Sequence, residues 1–156
     1  MSKREQVELT NDSDEPLDTS LDDLVGYALR RAQNKVYQHL VSALAEHDLR
    51  PAQFTAMSII DQNPGLMQAD LAKSLAIEPP QLVLLLNKLE LRAIAVRVRC
   101  KPDKRSYGIF LSRSGEQLLE KLKQVAIESD LESTRSLTTE EKDGLMKALR
   151  KIYRDT

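Results

Sequence analysis

The fold is decided by residues 68–111, which read QADLAKSLAIEPPQLVLLLNKLELRAIAVRVRCKPDKRSYGIFL. This stretch opens with two short helical patterns, residues 68–75 and 79–92, separated by the tripeptide 76–78. Pro79 and Pro80 suit the first turn of the second helix, where their missing N–H groups are harmless. One apolar stripe follows, made of Leu82, Leu85, Leu86 and Leu89. Two helices joined by a tight turn are typical of a helix-turn-helix.

The second half of the stretch changes to the alternating pattern of β-strands. It predicts one strand with an apolar face of Ile94, Val96, Val98 and Cys100 and a basic face of Ala95, Arg97, Arg99 and Lys101. A turn at residues 102–106 leads to a second alternating run at residues 107–111, so the two strands form a hairpin with a basic tip. This order of elements predicts a winged helix-turn-helix, whose second helix enters the DNA major groove while the hairpin tip reaches the minor groove.

Amphipathic helices are predicted on both sides of this stretch. Residues 21–44 repeat apolar side chains at helical spacing, Pro51 begins a helix that ends at residues 63–65, and Ser112 or Ser114 caps a helix after the hairpin. Thr138 and Glu141 form a capping box before the last helix. The apolar stripes predict a homodimer, which sets two recognition helices about 34 Å apart for a palindromic site. The candidate dimerisation residues are Leu21, Leu24, Leu145, Leu149, Ile152 and Tyr153.

Length and charge set the predicted domain organisation. The 156 residues suit one core: a disordered acidic arm over 1–18 and one domain over 19–156. Within that domain, about 51–112 form the DNA-binding lobe, and 19–48 and 113–156 supply dimerisation helices. The net charge of −1 combines −6 over residues 1–23 with +5 over the rest of the chain, within which residues 88–113 carry +6. By charge alone, this basic segment is either a solvated face or a surface that binds a polyanion.

Several classes of protein are disfavoured by what the sequence lacks. Aromatic residues make up 4% without any Trp, one Cys cannot form an internal disulfide, and no stretch suits a secretory signal or a membrane helix. These features predict a cytoplasmic protein without membrane contact. His39 and His47 have no third ligand nearby, and no catalytic motif is present, so we expect no metal, cofactor or enzymatic activity.

Four segments, residues 49–54, 63–72, 89–97 and 103–115, resemble the multiple antibiotic resistance regulator (MarR) family of bacterial transcription factors. The resemblance extends over about residues 20–155. It implies a mainly α-helical fold with a small β-hairpin wing and long N- and C-terminal dimerisation helices. It also implies a homodimer that represses genes by binding operator DNA and is released by a small, anionic aromatic ligand.

The resemblance assigns DNA contacts residue by residue. Arg105 matches the wing-tip arginine that enters the minor groove, and Asp103 matches the acid that braces the wing. Arg97 is assigned to wing bracing or to a phosphate contact, and Gln68 to a phosphate contact at the start of its helix. The remaining candidate DNA-binding residues are Pro80, Gln81, Val83, Leu84, Asn87, Lys88, Arg99, Lys101, Lys104 and Ser106.

The recognition helix departs from the family pattern. Members commonly have Ser, Thr or Arg where this chain has Pro79, Pro80, Val83 and Leu84, so hydrogen-bond readout falls largely to Gln81 and Asn87. Ala93 replaces a glycine that ends this helix, and Met67 replaces a Ser or Thr cap. An alternative interpretation is a helical homodimer that binds a protein partner through an apolar surface at Val83 and Leu84.

The candidate ligand site combines arginines with aromatic side chains. Arginines at the edge of an apolar cleft suit a carboxylate or phosphate, although the same residues also fit an ordinary surface and core. Residues 27–33 and 63–66 resemble a family branch that controls aromatic-acid breakdown, which implies an aromatic acyl-CoA, such as a hydroxycinnamoyl-CoA, as the ligand. The candidate ligand-binding residues are Tyr27, Arg30, Arg31, Tyr37, Phe54 and Met57.

Overall fold

The computed structural model describes residues 20–99 and 107–154, and within them the chain is mainly helical with a small antiparallel sheet. This arrangement confirms the predicted fold class. None of the helices in the described residues combines the length and apolar character needed to cross a bilayer. The elements are α1 Val25–Ala45, α2 Pro51–Gln62, β1 Leu66–Met67, α3 Gln68–Leu75, α4 Pro79–Leu91, β2 Ala95–Arg99, β3 Tyr107–Leu111, α5 Arg113–Ser133 and α6 Thr139–Arg154.

The chain divides into two units, one ending at Gln33 and the other beginning at Asn34. In the first unit, residues 20–23 form a turn, and the Leu24 N–H donates to the Leu21 carbonyl over 2.9 Å. The helix begins only at Val25, so the predicted start at Leu21 is too early. Aspartates favour turns and helix starts over helix interiors, and Asp22 and Asp23 occupy this turn.

The core of the second unit lies between α2, α3, α4, the sheet and α5. The stripe predicted for the recognition helix is confirmed, because all four of its leucines are buried there. The other buried apolar residues are Leu44, Leu49, Ala56, Met57, Ile60, Leu71, Ala72, Ile94, Ala95, Ile109, Leu119 and Leu122. This core holds both helices of the helix-turn-helix and the base of the hairpin in one packed body.

The sheet has three strands, of which β3 is central. It pairs antiparallel with β2 through Arg97 opposite Ile109, which confirms the predicted hairpin. On its other edge it pairs with β1 through Leu66 opposite Ile109. The two residues of β1 are too few to show an alternating pattern, which is why the sequence did not predict this strand.

Of the apolar face predicted for the first strand of the hairpin, Ile94 is buried as expected, but the prediction is wrong for Val96 and Val98. Val96 and Val98 are 41% and 50% exposed, whereas Ala95 is buried. Alternation identifies two faces of a strand but does not say which of them packs inward. In this edge strand, the small Ala95 packs inward and Arg97 on the same face pairs with α4, so the valines face outward. Cys100, assigned to the same apolar face, lies outside the described residues.

The helix ends follow local hydrogen bonding. Ala93, two residues after the end of α4, has a φ of 53°, in the left-handed region that glycine adopts more easily. The hydroxyls of Ser112 and Ser114 donate to its carbonyl over 2.6 and 2.9 Å. Ser112 also accepts from the Gly115 N–H, which confirms its predicted role as the cap of α5. Met67 precedes α3 without a side-chain cap, as its apolar side chain requires.

Helix α5 closely approaches the backbone just before β2 at Gly115. A Cβ atom added to this glycine would lie 2.1 Å from the backbone oxygen of Ile94. Real Cβ atoms do not approach a backbone oxygen so closely, and the opposing atom belongs to the main chain rather than to a flexible side chain. Glycine at this position therefore determines how closely α5 packs against the wing.

Helix α6 is amphipathic but has no buried residue within the single chain. The predicted capping box before it is confirmed: the Thr138 N–H donates to Glu141 over 2.8 Å, and the Glu141 N–H donates to the Thr138 hydroxyl over 3.2 Å. Four of its large apolar side chains are exposed, and α5 adds two more. These exposed residues are Leu145, Met146, Ile152 and Tyr153 on α6 and Ile127 and Leu131 on α5.

Candidate nucleic-acid interface

Helices α3 and α4 form the predicted helix-turn-helix. Ala76 ends α3 in the left-handed region, at a φ of 51°, and α4 begins at Pro79. The tandem prolines occupy the first turn of α4, where no backbone N–H is needed. Because α4 buries one stripe only, its opposite face is open to solvent.

All the α4 residues that were predicted from the sequence to contact DNA lie on the exposed face of this helix. Val83 and Leu84 are 38% and 64% exposed, which is unusual for large apolar side chains on a helix with such a complete buried stripe. The full set on this face is Pro80, Gln81, Val83, Leu84, Asn87 and Lys88. The geometry thus presents a mixed surface of amides, apolar groups and one cation.

Arg97 connects the wing to α4. Its guanidinium donates through Nε to Glu90 over 2.9 Å, through Nη2 to the second oxygen of Glu90, and through Nη2 to Asn87 Oδ1 over 2.8 Å. The hydrogen bond with Glu90, more than any other interaction, raises the pKa of Arg97 above its ordinary value. Of the two roles that the sequence left open for Arg97, this geometry supports bracing of the wing.

Two further DNA-contact candidates lie beside Arg97. Gln68, at the start of α3, is half-buried and lines a depression together with Glu90, Arg97 and Tyr107. The Nε of Arg99 donates to the Tyr107 hydroxyl over 3.0 Å, and its guanidinium lies 5.7 Å from the centre of that ring. Arg99 is therefore held along the hairpin, although its side chain is exposed. The predicted wing residues Lys101, Asp103, Lys104, Arg105 and Ser106 lie outside the described residues.

Arg92 makes a contact that the sequence did not reveal. Its guanidinium donates to the backbone carbonyls of Asp48 and His47 over 2.6 and 3.0 Å. These two hydrogen bonds connect the end of α4 to the turn between α1 and α2. A lone arginine after a helix carries no sequence signal for such a contact, because its acceptors are main-chain atoms more than forty residues away.

A cavity of about 870 Å³ lies next to this contact. Its apolar wall includes Tyr37, Val41 and Leu91, and its cations are Arg50, Lys88 and Arg92. Other lining residues are Ala45, Asp48, Leu49, Pro51 and Gln53. An apolar wall with several cations at its edge can bind an aromatic group and an anion together.

The candidate ligand-binding residues are not all at this cavity. Tyr37 lines it, whereas Met57 is fully buried in the core and Phe54 packs against that core. In the first unit, Arg31 donates to Asp22 over 2.7 Å and lies 5.8 Å from the ring of Tyr27, while Arg30 is exposed. The described residues contain no group of three or more His, Cys, Asp or Glu arranged to hold a metal ion.

Comparison with known proteins assigns this geometry to a family. Residues 49–107 match the model of the MarR family. A solved structure of the transcriptional repressor CouR bound to a 23-mer DNA duplex is 33% identical, with a TM-score of 0.81 over 89% of this chain and 99% of that chain. The chain belongs to the MarR family. MarR proteins are DNA-binding transcriptional regulators and are not enzymes.

Two further relatives indicate the branch of the MarR family. CouR bound to p-coumaroyl-CoA is 32% identical, with a TM-score of 0.78 over 90% of this chain and 100% of that chain. A transcriptional regulatory protein for the hcr operon of Thauera aromatica is 26% identical over 131 residues, which cover 83% of this chain and 79% of that protein. These similarities support the branch concerned with aromatic catabolism that residues 27–33 and 63–66 suggested.

Proposed function

We propose that this MarR protein is a repressor that binds a palindromic operator as a homodimer and is released by an aromatic acyl-CoA. The exposed face of α4 beside the basic hairpin is the observation that carries the DNA-binding role. The similarity of this chain to CouR, whose structure was solved with a bound DNA duplex, supports this role. The exposed apolar face of α6 supports the homodimer, because such a face in water favours association with a second copy.

Binding to the DNA upstream of its own gene tests the operator role. We expect fluorescence anisotropy to show tight binding at low salt that weakens steeply as salt is added, since contacts to phosphate release counterions. Arg105→Ala should weaken binding about tenfold or more, because it removes the arginine assigned to the minor groove. Arg135→Ala is the matched control, since Arg135 is an exposed arginine that follows α5 and pairs with Glu132.

The salt dependence also separates the two candidate functions. Apolar association with a protein partner would change little with salt, whereas DNA binding would not survive a large increase. If the protein fails to bind DNA at low salt, the operator role is wrong, and the exposed side chains of Val83 and Leu84 favour the protein-partner alternative. Equal DNA affinities for Arg105→Ala and the wild-type protein would show that Arg105 does not contribute to DNA binding.

The cavity between α1, α2 and α4 is the proposed ligand site. An aromatic acyl group fits its apolar wall, and the phosphates of CoA fit the cations at its edge. The binding of p-coumaroyl-CoA by CouR supports this class of ligand. The location is close to the recognition helix, because Lys88, Leu91 and Arg92 all line the cavity.

Calorimetry with p-coumaroyl-CoA, p-coumarate and CoA tests the ligand class. We expect the thioester to bind more tightly than either part alone and to release the protein from DNA. Tyr37→Ala should weaken binding about tenfold, or roughly 1.4 kcal/mol, because it removes an aromatic wall. Gln38→Ala, an exposed neighbour outside the lining, should leave the affinity unchanged. Equal affinities for the two variants would place the ligand elsewhere.

A further inference from the structure

Two amide side chains on the exposed face of α4 can read the edges of bases. Among the candidate contacts of this face, Gln81 and Asn87 alone have both a donor and an acceptor, since Pro80, Val83 and Leu84 are apolar and Lys88 only donates. The direction in which each amide points therefore decides which bases the helix can recognise. Both directions follow from hydrogen bonds within the protein.

The amide of Asn87 is oriented by Arg97. A guanidinium has donors only, so the amide atom that faces Arg97 Nη2, at 2.8 Å, is the oxygen. The guanidinium is itself fixed by two hydrogen bonds to Glu90, and the side chains of Arg97 and Glu90 are only 25% and 28% exposed. Asn87 Oδ1 thus faces the wing, and its NH₂ group remains for the groove.

The amide of Gln81 is oriented in the same sense by the start of its own helix. Its Oε1 accepts from the backbone N–H of Glu78 over 3.2 Å. This bond satisfies a donor at the start of α4 and leaves the NH₂ group of Gln81 available. Two unrelated contacts therefore give both amides the same polarity, and Lys88 adds a third donor to this face.

A face with free donors selects bases by their acceptors. Asparagine recognises adenine through both amide atoms, with the oxygen accepting from N6 and the nitrogen donating to N7. That arrangement requires Oδ1 and Nδ2 to point at the same base edge, and Oδ1 of Asn87 points at Arg97 instead. Cytosine offers a donor in the major groove and needs an acceptor. Adenine presents the N7 acceptor, but its N6 amino group is a donor that would be left without an acceptor on this face. Guanine and thymine present acceptors without such a donor, and the thymine methyl group suits the neighbouring Val83 and Leu84.

We propose that Arg97 is a positioning residue that determines specificity, because it turns Asn87 so that α4 reads guanine or thymine and discriminates against adenine and cytosine. This inference rests on the proposed binding of operator DNA. The Arg97–Glu90–Asn87 contacts act on the choice of base, whereas contacts to DNA phosphates would act on affinity for any sequence.

Site selection from a randomised half-site library tests the proposal with wild type, Asn87→Ala and Arg97→Lys. We expect Asn87→Ala to lose the base preference at one position, and wild type to select guanine or thymine there. Arg97→Lys keeps the charge but cannot bridge Glu90 and Asn87 together, so adenine should rise about fivefold or more at that position. The salt dependence of binding should stay unchanged, because the number of cations is the same.

Three results would overturn the inference: wild-type selection of adenine or cytosine at the Asn87-dependent position, no effect of Asn87→Ala at any position, or an unchanged base preference in Arg97→Lys. The first two need only wild type and an exposed-site variant, so they decide the matter even if Arg97→Lys folds poorly. A thermal melt of each variant identifies such a defect. If wild type binds no DNA at low salt, the proposed function fails as well, which distinguishes that failure from a wrong base preference.

Discussion

Gly115→Ala is expected to lower the free energy of unfolding by about 3 kcal/mol, since the new Cβ would meet a backbone oxygen in a packed site. The added atom would lie 2.1 Å from the carbonyl oxygen of Ile94, and only a shift of α5 or of the backbone at Ile94 could relieve the contact. Urea denaturation at one fixed protein concentration measures the effect, because the concentration of a dimer changes its apparent stability.

Gly144→Ala is the matched control for this prediction. Gly144 lies in α6, and no atom is within 4 Å of the position that its Cβ would occupy. Alanine should stabilise this helix by up to about 1 kcal/mol, because it restricts the unfolded chain more than glycine does. A value for Gly115→Ala within about 0.5 kcal/mol of wild type would show that α5 does not pack tightly against the wing.

Leu86→Ala is expected to destabilise the protein by about 3 kcal/mol, whereas Leu84→Ala should change its stability by no more than about 0.5 kcal/mol. Leu86 is fully buried, and its truncation leaves a cavity in the core. Leu84, two residues earlier in the same helix, is 64% exposed. The substitution and the helix are identical, so the comparison isolates burial.

The same pair separates folding from recognition. Leu84→Ala should weaken operator binding several-fold, because the exposed leucine is available to contact a thymine methyl group. Denaturation in urea gives the stability of each variant, and anisotropy gives its DNA affinity. Equal losses of stability for the two variants would contradict the orientation of α4. An unchanged DNA affinity for Leu84→Ala would remove this side chain from the interface.

Much of the fold was predictable because its signals are local. Helical spacing of leucines identified the buried stripe of α4, tandem prolines marked its start, and the capping residues Ser112 and Thr138 marked later helices. The predictions that were wrong concern features that depend on tertiary contacts. The prediction of which face of β2 packs inward was wrong because Arg97 forms a salt bridge with Glu90 on α4. An alternating pattern does not encode such a pairing.

The candidate site was predictable as a set of residues but not as a set of orientations. The family resemblance nominated Gln81, Asn87 and Arg97 individually. The sequence could not reveal that the guanidinium of Arg97 donates a hydrogen bond to the amide oxygen of Asn87, because the two residues lie ten positions apart on different elements. The ligand cavity shows the same limit, since it shares Tyr37 with the predicted set, whereas its cations, Arg50, Lys88 and Arg92, lie outside that set.

The contact of Arg92 with the turn between α1 and α2 has a consequence for sequence drift. Its two acceptors are the main-chain carbonyls of His47 and Asp48, which exist whatever side chains occupy those positions. Substitutions can therefore accumulate at residue 47, and at residue 48 within the limits of its left-handed backbone, without releasing the recognition helix. Of the side chains involved, the connection depends on that of Arg92 alone. The side chains of the turn can therefore change, whereas the end of α4 must keep its arginine.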